Sequence, residues 1–194
     1  MKNIITVNKS TVKTKSLVTL AAVICAVVLP QIFHYIGAIS GFGALPGATF
    51  LPIQIPIFVA GFLGGPVVGL LAGLISPLMS YCFTTALLGS AMPASFMLPY
   101  MTLELAGYGF TAGLLYKAKT PVILNLLIAQ FAGRFIRAVA ILAAVYVLGA
   151  NNPAPTSVES IWTTVTAGLP GILLQWAFVP LIVYRAKELK KRLD

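Results

Sequence analysis

A chain of 194 residues that is 59% hydrophobic and only 9% charged carries too little charge to cover a soluble surface, because soluble domains are about 45–50% apolar and about 25% charged. The composition excludes an ordinary soluble domain and predicts an all-α, polytopic membrane protein. A net charge of +9 would indicate nucleic acid for a soluble protein; here it reads as topology, since cytoplasmic loops collect Lys and Arg, and no nucleic-acid partner is expected.

A helical span needs about 20 apolar residues, and six candidates occur within a single membrane domain, 1–194. The first covers about 16–37. It follows Lys2, Lys9, Lys13 and Lys15, and its apolar run meets Pro30 rather than a small-residue cleavage site, unlike a signal peptide. Ala22 and Ala26 form a small-xxx-small pair that can pack inside the bundle or offer a flat patch to another membrane subunit. Cys25, and Cys82 further on, lack metal-type spacing and read as buried thiols. His34 closes this span on the outer side, where it can bond a ligand, bond the loops or simply sit at the interface.

The second span, about 49–64, is short and carries Pro52 and Pro56. Its start is predicted to be irregular and to face protein or a cavity. The third, 66–88, opens on the row Gly65, Gly69, Gly73, which lets helix backbones approach closely. Pro77 predicts a kink; Ser76, Ser80 and Tyr81 can rebind the loosened backbone or reach a ligand. The fourth, 96–116, repeats the close-packing device at Gly109 and Gly113 and carries Glu104. The fifth, 121–149, is long enough to tilt. The sixth, 161–184, holds Gln175.

With six spans, all Lys and Arg outside them fall on one side: the N-terminal four, then Lys117 and Lys119, then Arg185, Lys187, Lys190, Lys191 and Arg192. The opposite loops, 38–48, 89–95 and 150–160, hold Glu159 as their one charge. Both termini are therefore expected to be cytoplasmic, in a multi-pass membrane protein. The uncharged loops "GAISGFGALPGA" and "GSAMPAS" read either as segments folded down onto the helix ends or as exposed connectors.

Three ionisable residues lie inside spans: Glu104, Arg134 and Arg137. A charge at bilayer depth costs about 2.5–3.5 kcal/mol even on the lenient insertion scale. Gln130, Arg134 and Arg137, spaced i, i+4, i+7, share one helical face. Counted from the outer edge at 1.5 Å per residue, Glu104 lies roughly 10 Å deep and Arg137 roughly 18 Å. The long arginine stem spans the difference. One buried pair can form, leaving Arg134 over. Two readings stay open: a closed structural network with backbone carbonyls, or a guanidinium serving a ligand with an anionic or strongly accepting group. Asn125 and Gln175 add buried amides, while Trp162 and Trp176 fit an interfacial belt or a pocket wall. The candidate substrate-binding set is Arg134, Arg137, Glu104, Gln130, Tyr81, His34 and Gln175. No phosphate loop, metal cluster, nucleophile elbow or hydrolytic acidic pair occurs. The chain is expected to be no enzyme and to need no cofactor; uphill transport would draw on another subunit or an ion gradient.

The strings "PIQIPIFVAGFLGGPVVGLLAG", "LPYMTLELAGYGFTAGLLY" and "AGR", with six spans over about 190 residues, resemble the substrate-binding (S) components of energy-coupling factor transporters, and the likeness covers nearly the whole chain. It implies capture of one vitamin or related micronutrient from outside, in a pocket near the outer leaflet closed by loops 38–48 and 89–95. It also implies association with a transmembrane coupling protein and two ATPase subunits, a toppling release, and docking through Ala22 and Ala26. A carboxylate-bearing substrate such as pantothenate suits the surplus arginine; carriers of hydroxymethylpyrimidine, pyridoxine-type and thiazole-precursor substrates stay open. The alternative is a stand-alone secondary transporter, although no inverted repeat is evident; an intramembrane enzyme is disfavoured by the missing catalytic groups.

Overall fold

Backbone groups in long apolar stretches must find partners within their own segment, and helices do this. A computed structural model describes residues 9–42, 45–89, 92–150 and 156–193. Among them there is no strand. The order is α1 (Lys9–Ile39), α2 (Leu45–Phe50), α3 (Gln54–Gly64), α4 (Pro66–Leu88), α5 (Leu98–Leu114), α6 (Val122–Tyr146), α7 (Ser160–Ala167) and α8 (Leu169–Leu193), with one turn of 3-10 helix, Ser95–Met97, ahead of α5.

Among the described residues four helices are long and apolar enough to cross a membrane: Val12–Ile39, Pro66–Leu87, Val122–Tyr146 and Leu169–Leu189. They correspond to the first, third, fifth and sixth expected spans. The other two differ. Residues 49–64 do not form one helix, because Leu51 takes a left-handed backbone (φ 49°) ahead of Pro52. Beyond the break, α3 has 11 residues and is about 16 Å long, against a hydrocarbon core of about 30 Å. The expected 96–116 span shortens to α5, 17 residues or about 25 Å. The sixth divides at Gly168 into α7 and α8, and α8 continues through its basic end to Leu193. The break is a single residue, Gly168, with Pro170 entering α8.

Burial is inverted relative to a soluble protein. Leu17, Leu20, Ile24, Val28 and Ile32 form an exposed stripe at helical spacing on α1, and Phe131 of α6 is 75% exposed. Gln54, Thr84, Glu104, Gln130 and Gln175 are buried. Apolar outside and polar inside is compatible with a lipid surround. Cys25 and Cys82 are on the exposed side, not buried as expected; each sits on an apolar face where a thiol behaves as a small hydrophobe.

Helix α5 is the centre of packing, and glycines set how closely it is held. Gly69 and Gly109 face each other so tightly that a methyl on either would overlap the other's carbonyl, and Gly73 meets the Leu105 backbone in the same way. This is the close approach the glycine rows predict. Gly69→Val is expected to cost at the upper end of about 1–3 kcal/mol, because backbone cannot yield as a side chain can. Ala86→Val, on the exposed side of the same helix, should change little. Denaturant titration of both proteins in detergent checks this, and equal losses would refute the backbone contact as the cause.

Ala22 and Ala26 are 8% and 0% exposed. Ala22 packs with Ala60, Val68 and Ala72, and Ala26 joins the main core around Phe58 and Tyr108. Of the two sequence readings of this pair, packing inside the bundle is the one their burial shows, with Ala22 against α3 and α4 and Ala26 in the main core. Pro77 does not break α4; beside it the Ser76 hydroxyl bonds the Ala72 carbonyl at 2.6 Å.

The described parts of two loops lie down on helix ends. The His34 ring touches Gly47, Phe33 meets Phe50 with ring centroids 5.5 Å apart, and Gly171 of α8 abuts the Thr49–Phe50 backbone. Met92 is bonded through its carbonyl to the Ser80 hydroxyl at 3.1 Å and through its N–H to the Thr84 hydroxyl at 2.9 Å. Residues 43–44, 90–91 and 151–155, parts of the three expected outer loops, lie outside the described residues, as do Lys2 and the remainder of 1–8.

Candidate functional site

Glu104 and Tyr108 stand one turn apart on α5 and so project from one face. Opposite them Gly133 of α6 lies against the Tyr108 ring and the Glu104 carbonyl, where any side chain would clash. That contact brings α6 close enough for Arg137, one turn beyond, to reach the carboxylate. Arg137 Nη1 donates to Glu104 Oε2 at 2.9 Å, and the Tyr108 hydroxyl donates to Oε1 at 2.5 Å. The side chains of Glu104 and Arg137 are 3% and 11% exposed. Both carboxylate oxygens are thus engaged by Tyr108 and Arg137.

Arg134, one turn back on α6, is the residue left over. Its Nη2 is buried and has no hydrogen-bond partner among the described residues. Two guanidiniums against one carboxylate leave one positive charge, on a half-buried side chain whose Nη2 is shielded. An uncompensated buried charge is strongly unfavourable; an anion or a strong acceptor beside Arg134 removes that cost.

A cavity of about 100 Å³ opens onto this cluster, lined by Glu104, Arg134 and Arg137 on one side and by Ile161, Trp162 and Val165 of α7 on the other. Ligand sites for drug-sized molecules run to about 300–1,000 Å³. The space is therefore smaller than such sites and takes only a small group. Helix α7 is its outer wall, only 8 residues long, with Trp162 72% exposed.

Below the ionic cluster runs a chain of amides. The Trp176 indole N–H donates to Gln130 Oε1 at 2.9 Å, Gln130 Nε2 to Gln175 Oε1 at 2.7 Å, and Gln175 Nε2 to Gln54 Oε1 at 2.9 Å. It ties α8, α6 and α3 together. Gln130 and Gln175 are thus joined to each other, with Gln130 one turn from Arg134, and neither lines the cavity.

Two expected site residues lie elsewhere. His34 faces the α2 segment at Gly47, and Tyr81 sits half-exposed on α4; neither lines the cavity. Asn125 is bonded to Thr120 at the start of α6. The sequence reading offers Trp162 as a pocket wall, and α7 carries it there; it missed the bond of Tyr108 to Glu104 and the place of Gln54. The i, i+4 spacing of Tyr108 from Glu104 was a readable signal. Nothing in the sequence marks Gln54 as the partner of a glutamine 121 positions away. Among the described residues no three His, Cys, Asp or Glu side chains are grouped to hold a metal.

Compared with protein-family models, with curated proteins and with solved structures, the chain matches none of them.

Proposed function

We propose that this chain is the substrate-binding membrane subunit of an importer of the energy-coupling factor type, capturing a vitamin or related micronutrient with an anionic or strongly accepting head group. The observation that carries the reading is Arg134: a buried guanidinium nitrogen without a protein acceptor, at a cavity, beside an ion pair that already satisfies Glu104. A planar fork of this kind suits a carboxylate, so a substrate such as pantothenate fits the chemistry. The cavity takes the head group, and the rest of the substrate requires α7 to swing outward at Gly168.

In this reading the chain crosses a bacterial plasma membrane six times. Helices α3 and α5 are the short crossings, sheltered by longer neighbours, and the termini are cytoplasmic with the Lys and Arg clusters. A transmembrane coupling protein and two ATPases supply energy, and their docking face is other than the Ala22 and Ala26 pair. The test is uptake of radiolabelled pantothenate and of whatever mass spectrometry finds co-purified with the protein. ATP-dependent uptake that requires co-expressed coupling subunits is expected. Uptake driven by a proton or sodium gradient with this chain alone would establish a secondary transporter instead.

A further inference from the structure

The face shared by α1 and α4 carries a second, larger hollow of about 530 Å³ that has no residue in common with the cavity at Arg134. Its direction in the fold is set by the packing. Phe33 of α1 meets Phe50 just ahead of α3, while Ala22 shares a cluster with Ala60 near the end of α3. Helix α3 therefore runs opposite to α1. The turn at Gly65 sends α4 back along α3, with Gly61 against Gly69, so α1 and α4 are parallel. The groove is lined from Val12 to Val23 on α1 and from Val67 to Met79 on α4. At 1.5 Å per residue each wall is about 17 Å long, and because Ala22 clusters with Val68 and Ala72 the two walls are staggered along the parallel helices.

The chemistry along that length is uneven. Toward one end the walls are Leu20, Val23, Leu71, Ile75 and Met79, all aliphatic. At the other end stand Lys15 and Ser16. The Thr19 hydroxyl is turned back to the Lys15 carbonyl at 3.0 Å and adds no polarity to the wall. Lys15 is exposed and forms no ion pair among the described residues, and no Asp or Glu precedes Glu104 anywhere in the chain. The groove is apolar along most of its length and carries its one cation at the Lys15 end.

We propose that this groove is a binding site for an anionic phospholipid, with an acyl chain lying along Leu20, Leu71 and Ile75 and the phosphate against Lys15. Basic pockets between membrane helices recognise anionic head groups in this way. A second copy of the chain is a poorer occupant, since a two-fold contact sets one Lys15 rim against the other at the same depth. The site does not depend on the import reading.

Native mass spectrometry of the full chain in detergent, with phosphatidylglycerol or phosphatidylcholine added, tests it. One phosphatidylglycerol is expected to be retained about fivefold better than phosphatidylcholine, the preference of a single lysine for an anionic surface. Lys15→Gln should bring the two lipids to parity, whereas Lys187→Gln, which removes the same charge from the exposed end of α8, should not. Leu71→Trp, filling the groove, should lower retention of both lipids. Equal retention of the two lipids by the unaltered chain overturns the proposal. So does an equal effect of Lys187→Gln, or a dimer peak that Leu71→Trp abolishes.

Discussion

Glu104→Gln is expected to destabilise the protein by about 3–5 kcal/mol, the range measured when one member of a buried ion pair is removed. The replacement keeps the shape and still offers an oxygen to the Tyr108 hydroxyl. What it removes is the negative charge that Arg137 meets at 2.9 Å, so the loss is electrostatic rather than one of packing. Two guanidiniums would then face the cavity with no carboxylate. Adding Arg137→Met should recover most of the loss, because the double variant leaves only Arg134 uncompensated, as in the unaltered protein. Denaturant titration in detergent reads both. A double variant no more stable than Glu104→Gln would show that Arg137 is not the partner that matters.

Arg134→Met is expected to act in the opposite direction on the empty protein. Arg134 Nη2 has no partner to abandon, and an apolar side chain of similar length removes an uncompensated charge, so stability without ligand should hold or rise. Affinity for an anionic substrate should fall by about 2–5 kcal/mol. Arg134→Lys should recover part of it, since lysine keeps the charge and loses the planar fork. Calorimetry with the co-purifying substrate, alongside unfolding of the empty protein, separates the two sequence readings of the arginines. Destabilisation as large as that of Glu104→Gln, with affinity unchanged, would mean that both arginines belong to a closed structural network.

How much of the site was legible depends on how local each signal is. The pairing of Glu104 with Arg137 came from depth counted along two helices and from the reach of an arginine, and the structure has that bond. The shared face of Gln130, Arg134 and Arg137 came from helical spacing. His34 and Tyr81 entered as candidates because polar groups near mid-span or at a helix end can reach a ligand, yet reach depends on which neighbour each helix turns toward. His34 is turned to the α2 segment and Tyr81 lies away from the cavity. Ala22 and Ala26 show the same gap: the spacing allows either an inner or an outer face, and the rotation of α1 about its axis chose the inner one.

Composition and periodicity by themselves determined that the chain is helical, that long apolar helices dominate it, that glycine rows bring backbones together and that one arginine exceeds the carboxylates available. These depend on residue type and on spacing within a single helix. Only the tertiary structure decided that the 49–64 stretch breaks at Leu51, that α7 splits from α8 to wall the cavity, and that Gln54 meets Gln175. The physical reason is that a helix carries its own hydrogen bonds but not its neighbours: where it breaks, how it is rotated and what covers it are settled by contacts between segments far apart in the chain.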